Sequence, residues 1–276
     1  MNPHASHSVS LIVFINLIRE NSSLIRRMAW REIVARYKGS ALGLVWSFFN
    51  PILMLLIYTF VFTYVFKARW GIDVGGNDIN FSVVLFIGLI IHIFFSEVIG
   101  QAPNLILNNA NYVKKVVFPL EMLSVISLTS ALFNVLVSFI VLLIAYLVLV
   151  GIPFWTSIYI PVTFLPIIPL TLGLGWLIAA LGVYLRDISQ FIGVLITALL
   201  FLSPVLYPVS ALPESIQSII YFNPLTFPIE QSREVIIYGQ SPNWSGIALY
   251  STASLIVCYV GFFVFQKVRK GFADVI

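Results

Sequence analysis

Residues 26–51 read RRMAWREIVARYKGSALGLVWSFFNP. The first half has the pattern of a basic helix, and the second half opens a hydrophobic run. Trp30, Ile33, Val34 and Tyr37 fall at i, i+3, i+4 and i+7, so they share one helical face. Arg27, Arg31 and Lys38 lie on a neighbouring face, with Glu32 and Arg36 on the other flank. An apolar stripe bordered by cations suits a helix lying in a membrane interface, rings at the acyl boundary and charges toward anionic headgroups. The plainer alternative is a juxtamembrane anchor that only fixes topology. Gly39 and Gly43 loosen the chain, and the apolar run begins at Leu44.

Composition agrees with a membrane setting. Hydrophobic residues make up 60% of the 276 and charged residues 9%, against about 25% charged in a soluble domain. The net charge of +4 is no nucleic-acid signature, because the cations cluster at the ends of apolar runs. A single cysteine, Cys258, excludes an internal disulfide and reads as a packing residue. The apolar run 9–18 has no basic region before it and no small-residue cleavage site after it, so it does not read as a signal peptide. It is also too short to cross, and is expected to lie flat on the membrane.

Six runs approach the roughly 20 residues needed to cross a bilayer: 44–66, 81–100, 123–150, 161–184, 191–207 and 246–265. The fifth is short and runs into Pro-rich sequence. The expected fold is therefore an all-α membrane protein of six transmembrane helices in one domain. It has an N-terminal amphipathic interface helix (23–38), a cytoplasmic segment (101–121) and a re-entrant outer hairpin within 208–245, between spans five and six. With the N-terminus inside, 12 Lys and Arg side chains face the cytoplasm and three (Lys67, Arg69 and Arg233) face out. The opposite orientation would invert the positive-inside rule, so both termini are expected inside. In span three, Ser124, Ser127, Ser130, Asn134 and Ser138 are expected to bond across helices or back to their own backbone. In span four, Gly175, Ala179 and Gly182 permit close helix approach.

Catalytic motifs are missing. The sequence has no GxxxxGK[ST], HExxH or GxSxG pattern and no cysteine cluster. Without a P-loop the chain needs an external motor if transport is driven by ATP. No metal site is expected. His92, in mid-span, reads as a packed or hydrogen-bonded neutral residue rather than a proton relay, and Glu97 as close enough to the cytoplasmic boundary to reach water. Aromatic residues are plentiful: 23 Phe, 12 Tyr and 6 Trp. Tyr58, Phe62 and Phe66 recur at i, i+4 and i+8, and Tyr207 ends span five. Flat apolar rings could line a path for a sliding sugar polymer, or simply face lipid as in any membrane protein.

Several motifs carry a family resemblance. RYKGSALGLVWSFFNPI (36–52), KKVVFPLEML (114–123), LRDISQF (185–191), LSPVLYP (202–208), LPESI (212–216) and FNPL (222–225) occur in this order. The chain resembles the permease subunits of polysaccharide-exporting type-2 ABC transporters. That resemblance implies a homodimer in the bacterial inner membrane with two copies of a separate ATPase, which binds Mg-ATP while this chain carries no cofactor. It implies an undecaprenyl-diphosphate-linked glycan as cargo, O-antigen first, with capsule or teichoic acid as alternatives. By the same resemblance, Arg36, Tyr37 and Lys38 lie where the cargo enters; the cationic face adds Arg27 and Arg31 to that entry, and the aromatic spacing offers Tyr58, Phe62, Phe66 and Tyr207 as channel lining. Tyr112, Lys114, Lys115, Phe118, Pro119, Glu121, Arg186 and Asp187 couple to the ATPase, and the segment after Tyr207 is the outer gate. A lipid-sugar transferase would need a carboxylate cluster that the sequence lacks. A small-molecule exporter of the same superfamily often carries a large external domain or a fused ATPase, and a purely structural protein would not explain the loop 108–121.

Overall fold

The computed structural model describes residues 11–66, 73–74, 77–78, 81–114 and 118–276. Two short helices come first, α1 (Leu11–Glu20) and α2 (Ser22–Tyr37). The first span runs Gly43–Val65 and contains α3 (Trp46–Tyr58) followed by a π-helical end, Thr59–Val65. A two-residue antiparallel pair, β1 (Asp73–Val74) with β2 (Asn77–Asp78), precedes α4 (Phe81–Leu105). Next come α5 (Ala110–Lys114), α6 (Glu121–Leu149), α7 (Ile160–Phe164), α8 (Ile167–Tyr184) and α9 (Ile188–Leu202). The chain ends with α10 (Glu214–Ile220), α11 (Thr226–Ile236), α12 (Trp244–Val268) and α13 (Phe272–Val275).

Among the described residues, five segments are long and apolar enough to cross a membrane: Gly43–Val65, Phe81–Leu105, Glu121–Leu149, Trp155–Tyr184 and Trp244–Val275. The expected fifth span is the shorter apolar helix α9, 15 residues long. Lys67, Arg69 and Lys115 lie outside the described residues.

The bundle is built around α4. Every residue from Phe81 to His92 is buried, because α6, α8, α9 and α11 all pack on this helix. An apolar helix is not drawn to another by water exclusion inside lipid, so close backbone approach and polar contacts must hold the pairs together. Backbone approach is tightest at two places. A Cβ on Gly182 of α8 would strike the Pro103 backbone of α4, and one on Gly173 would lie 2.5 Å from the Cys258 Cα of α12. Gly261 of α12 faces Gly173 in return. Gly182 thus has the expected role, whereas Gly175 only meets Val98 Cγ1 at 3.7 Å and Gly173 is the second contact point.

Polar contacts run as a seam between α4 and α6. Ser127 donates to Gln101 Oε1 at 3.2 Å, and Asn134 Nδ2 donates to both Glu97 carboxylate oxygens at 3.1 and 3.0 Å. Ser138 bonds back to the Asn134 carbonyl, while Ser124 Oγ is buried with no partner among the described residues. His92 is buried as expected, its Nε2 3.2 Å from the Ile196 carbonyl of α9.

Arg233 is a correction. Counted among the outward-facing cations on an amphipathic helix, it is instead 1% exposed on α11. Its guanidinium donates to the Val84 carbonyl of α4 and to those of Pro204 and Val205, and pairs with Glu230 at 2.9 Å. The physical reason is the break after α9: Ser203 is extended, and the chain there leaves carbonyls without helical donors. A fully buried guanidinium supplies several N–H groups at once.

The Gly182 contact makes a direct test. Gly182→Ala is expected to lower the stability of the detergent-solubilised protein by about 1–3 kcal/mol, read as an earlier thermal unfolding midpoint. Gly193→Ala, where an added Cβ meets nothing within 4 Å, should not lower it. Equal midpoints for the two variants would show that α4 and α8 can part at Pro103.

Candidate functional site

The helix α2 packs on α6 through Ile25, Ala29 and Ile33, which are buried at i, i+4 and i+8. The buried face is therefore rotated from the expected one. Ile33 is common to both, but Trp30 is 53% exposed and only its ring edge meets Phe133, at 6.5 Å between centroids. The small Ala29 lets the helix approach a protein neighbour, which a purely lipid-facing stripe does not need. Arg27, Arg31 and Lys38 are exposed and Tyr37 is half-buried. Beyond Tyr37 the chain turns through Gly39 (φ 88°) and Gly43 (φ 51°), a backbone region that costs glycine little. Ser40 closes the turn by donating to the Tyr37 carbonyl and accepting from the Gly43 N–H.

Arg36 is not a free surface cation. Its Nη1 pairs with Glu97 of α4, and its Nη2 donates to Ser130 Oγ of α6 at 3.1 Å and lies 3.5 Å from Glu32. Glu97 accordingly does not reach for water as expected; its side chain is 14% exposed and held between Arg36 and Asn134. Glu97 lies eight residues before the end of α4 at Leu105, about 12 Å along the helix. A charge at that depth is costly unless it is paired. Burial holds the Glu32 carboxyl above the usual carboxylate range, more than the neighbouring Arg36 lowers it.

The sequence showed each member of this cluster without showing the cluster. Glu97 is the one carboxylate in 81–105, and Ser130 and Asn134 stand at i and i+4 on α6. Their pairing with Arg36 needs the packing angle of α2, which spacing does not encode.

The expected coupling residues gather at one end of the bundle but differ in exposure. Tyr112 of α5 stacks on Phe118 with centroids 4.7 Å apart, and Arg31 reaches the Tyr112 hydroxyl at 3.4 Å. Lys114 donates to the Ile276 carbonyl at 2.7 Å. Phe118 and Pro119 are half-buried, and Arg186 and Asp187 are exposed in the turn between α8 and α9. Glu121 is different. It is 2% exposed and paired with Arg269 at 2.7 Å, and its carbonyl accepts from Trp176 Nε1 at 3.0 Å. It ties α6 to α8 and α12 from inside the fold.

The aromatic candidates also divide. Tyr58 and Phe62 turn inward, and Phe62 stacks on Phe81 with centroids 5.0 Å apart. Phe66 is 66% exposed, as are Phe60 at 61% and Tyr64 at 70%, whose rings lie side by side. Tyr58, Phe62 and Phe66 nevertheless follow one another ring to ring through the π-helical turn, with centroids 6.3 and 5.6 Å apart. The half-buried Tyr207 donates its hydroxyl to the Phe201 carbonyl at 3.0 Å. Phe201 in turn borders an open groove of about 480 Å³ on the outer face of α9, lined also by Gln190, Gly193, Val194, Thr197 and Ala198. Among the described residues no cluster of His, Cys, Asp and Glu is arranged to hold a metal.

Comparison with known proteins fits this arrangement. The ABC-2 type transporter family matches residues 23–237. The O-antigen export system permease protein RfbA of Myxococcus xanthus is 29% identical over 265 residues, covering 94% of this chain and 99% of the relative. A protein of the same name from Klebsiella pneumoniae is 28% identical over 250 residues, 89% and 92% of the two chains. The polysialic acid transport protein KpsM of Escherichia coli is 24% identical over 237 residues, 86% and 90%. The matched region runs from the first turn of α2, through the Arg36–Glu97 cluster and the Tyr112–Phe118 segment, to the end of α11: the chain belongs to the ABC-2 type transporter family of multi-pass membrane permeases, which work with a partner ATPase subunit.

Proposed function

We propose that this chain is the channel-forming subunit of a polysaccharide exporter in the bacterial inner membrane, and that it moves an undecaprenyl-diphosphate-linked glycan. O-antigen is the first choice because the M. xanthus and K. pneumoniae relatives carry that name; the likeness to KpsM keeps capsule as the second. The observation that carries the reading is a convergence at one end of the bundle. The cationic helix α2 touches the Tyr112–Phe118 pair through Arg31, and the exposed Arg186–Asp187 turn follows the end of α8 that packs on Pro103 of α4. An anionic lipid headgroup and an ATPase would both be met on that side.

In this reading the chain crosses six times, with both termini cytoplasmic. The fifth crossing is α9, whose 15 residues span about 22 Å at 1.5 Å per residue, short of the roughly 30 Å hydrocarbon core. The extended stretch after Ser203 and the helices α10 and α11 complete the passage as a re-entrant hairpin. Burial of Arg233 against Val84 and Gly88 supports that placement, since it sets α11 beside the first two turns of the span α4. Two copies form the complex with two ATPase subunits that bind Mg-ATP. The exposed apolar faces of α3 (Ile52, Leu53, Leu56) and of α9 (Val194, Phe201) are the surfaces available for the second copy and for the glycan path. Phe60, Tyr64 and Phe66 are better presented to that path than Tyr58 and Phe62.

Two experiments test the reading. With the buried Cys258 replaced, Asp78→Cys and Ser241→Cys should react with an impermeant thiol reagent from outside in intact cells. Labelling only after permeabilisation would overturn the six-crossing, inside–inside topology. Phe118→Asp puts a charge beside the Tyr112 ring and should weaken ATPase co-purification about tenfold or more and abolish export, while the subunit still inserts. Normal complex yield with normal export would remove this segment from the docking role.

A further inference from the structure

We propose that the Arg36–Glu97 pair is an exchange site for a diphosphate headgroup, in which Glu97 occupies Arg36 until the diphosphate displaces it. This deepens the proposed function and rests on its reading of the cargo as a lipid-linked diphosphate. The geometry of the cluster supplies the argument.

Of the three groups that touch the Arg36 guanidinium, only Glu97 makes a close charged contact. Ser130 is neutral, and Glu32 stands at 3.5 Å. Arg36 keeps 28% of its side chain exposed while Glu97 keeps 14%, so the cation is the partner that can be approached from outside. A diphosphate brings more charge than one carboxylate, and its oxygens fit the planar guanidinium fork.

Exchange is costly if it strands the displaced carboxylate, because an unpaired buried charge is strongly destabilising. Here Glu97 keeps a hydrogen-bond donor and some solvent: Asn134 Nδ2 of α6 lies within 3.1 Å of both its oxygens, and its side chain is 14% exposed. Arg36 is also well placed for exchange. It stands in the last turn of α2, directly before the turn built on Gly39 and Gly43, so its end of the helix can shift without dragging the first span along. The same helix carries Arg31 against Tyr112, so a change at Arg36 is made on an element that also touches the coupling segment.

The test uses the permease–ATPase complex in detergent micelles and measures the half-saturating concentration of radiolabelled undecaprenyl diphosphate, with free inorganic pyrophosphate in a parallel arm. Glu97→Gln removes the competing charge and keeps the shape of the side chain. It is expected to tighten binding about fivefold, the scale of one partly exposed ion pair. Arg36→Ala should weaken binding about tenfold or more, and Arg36→Lys should fall between, since an ammonium replaces the fork by a point charge. Ser130→Ala, which leaves every charge in place, should tighten binding about twofold; it keeps the test open if Glu97→Gln does not assemble.

If the wild type binds the lipid and Glu97→Gln and Ser130→Ala bind it no better, Glu97 is a fixed structural partner and the exchange is overturned, with the cargo reading intact. If the wild type binds neither the lipid nor pyrophosphate, the exchange and the diphosphate cargo fall together. Tightening of pyrophosphate by Glu97→Gln with no gain from the lipid tail supports the exchange and assigns the site to soluble diphosphate.

Discussion

A backbone carbonyl or a charge set within a membrane has no water to turn to, so each must find its partner inside the protein. Most of this chain meets the demand by staying helical. Where it does not, one side chain answers. The stretch 203–208, after α9, leaves the helix, and Arg233 fills the place that water would take in a soluble loop, reaching Val84, Pro204 and Val205 from α11. Asn223 shares the task by donating to the Leu202 carbonyl and Ser203 Oγ at 3.1 and 2.9 Å. The close fit at Gly88, whose added Cβ would lie 3.1 Å from Arg233 Nη2, shows how little room is left around the guanidinium.

The same rule governs the other end of the bundle. Arg36 lies beside α4 and α6 because Glu97, Asn134 and Ser130 are there to receive it. Arg269 lies against Glu121 and Gln266 for the same reason. Two inter-element ion pairs thus sit at comparable ends of their helices and do different work. The Glu121 pair is almost closed to solvent and joins the N-terminal end of α6 to the C-terminal end of α12. The Glu97 pair leaves its arginine open at one edge. An ion pair that is shut off fixes a fold, and one that is open on the cationic side can be answered by another anion.

Much of the architecture was legible because apolar length and turn chemistry are local properties. The spans at 44–66, 81–100 and 246–265 follow from runs of hydrophobic residues, and the break at Gly39–Gly43 from glycines that adopt positive φ. The short fifth run was legible as α9 for the same reason. What the sequence could not show are relations between helices. Arg233 looked like an outward-facing cation because nothing local says that α11 folds back onto Val84. The buried stripe of α2 was misplaced by one helical position because the partner is α6, with its own shape, rather than a featureless lipid surface. The aromatic stripe of the first span was legible, since Tyr58, Phe62 and Phe66 lie ring beside ring, but the stacking of Phe62 on Phe81 of α4 was not.

These relations converge on α2. Its buried face is held by α6, its last turn by Glu97 of α4, and its middle by Tyr112 of α5, which in turn stacks on Phe118. The three attachments differ in kind: the first is apolar packing that resists sliding, the second an ion pair that another anion can contest, and the third a single long hydrogen bond of 3.4 Å. The helix is thus packed along one face and tied by polar contacts to two different elements. A change at Arg36 would then be felt at Tyr112 through about five residues of helix, with no need for the spans themselves to repack.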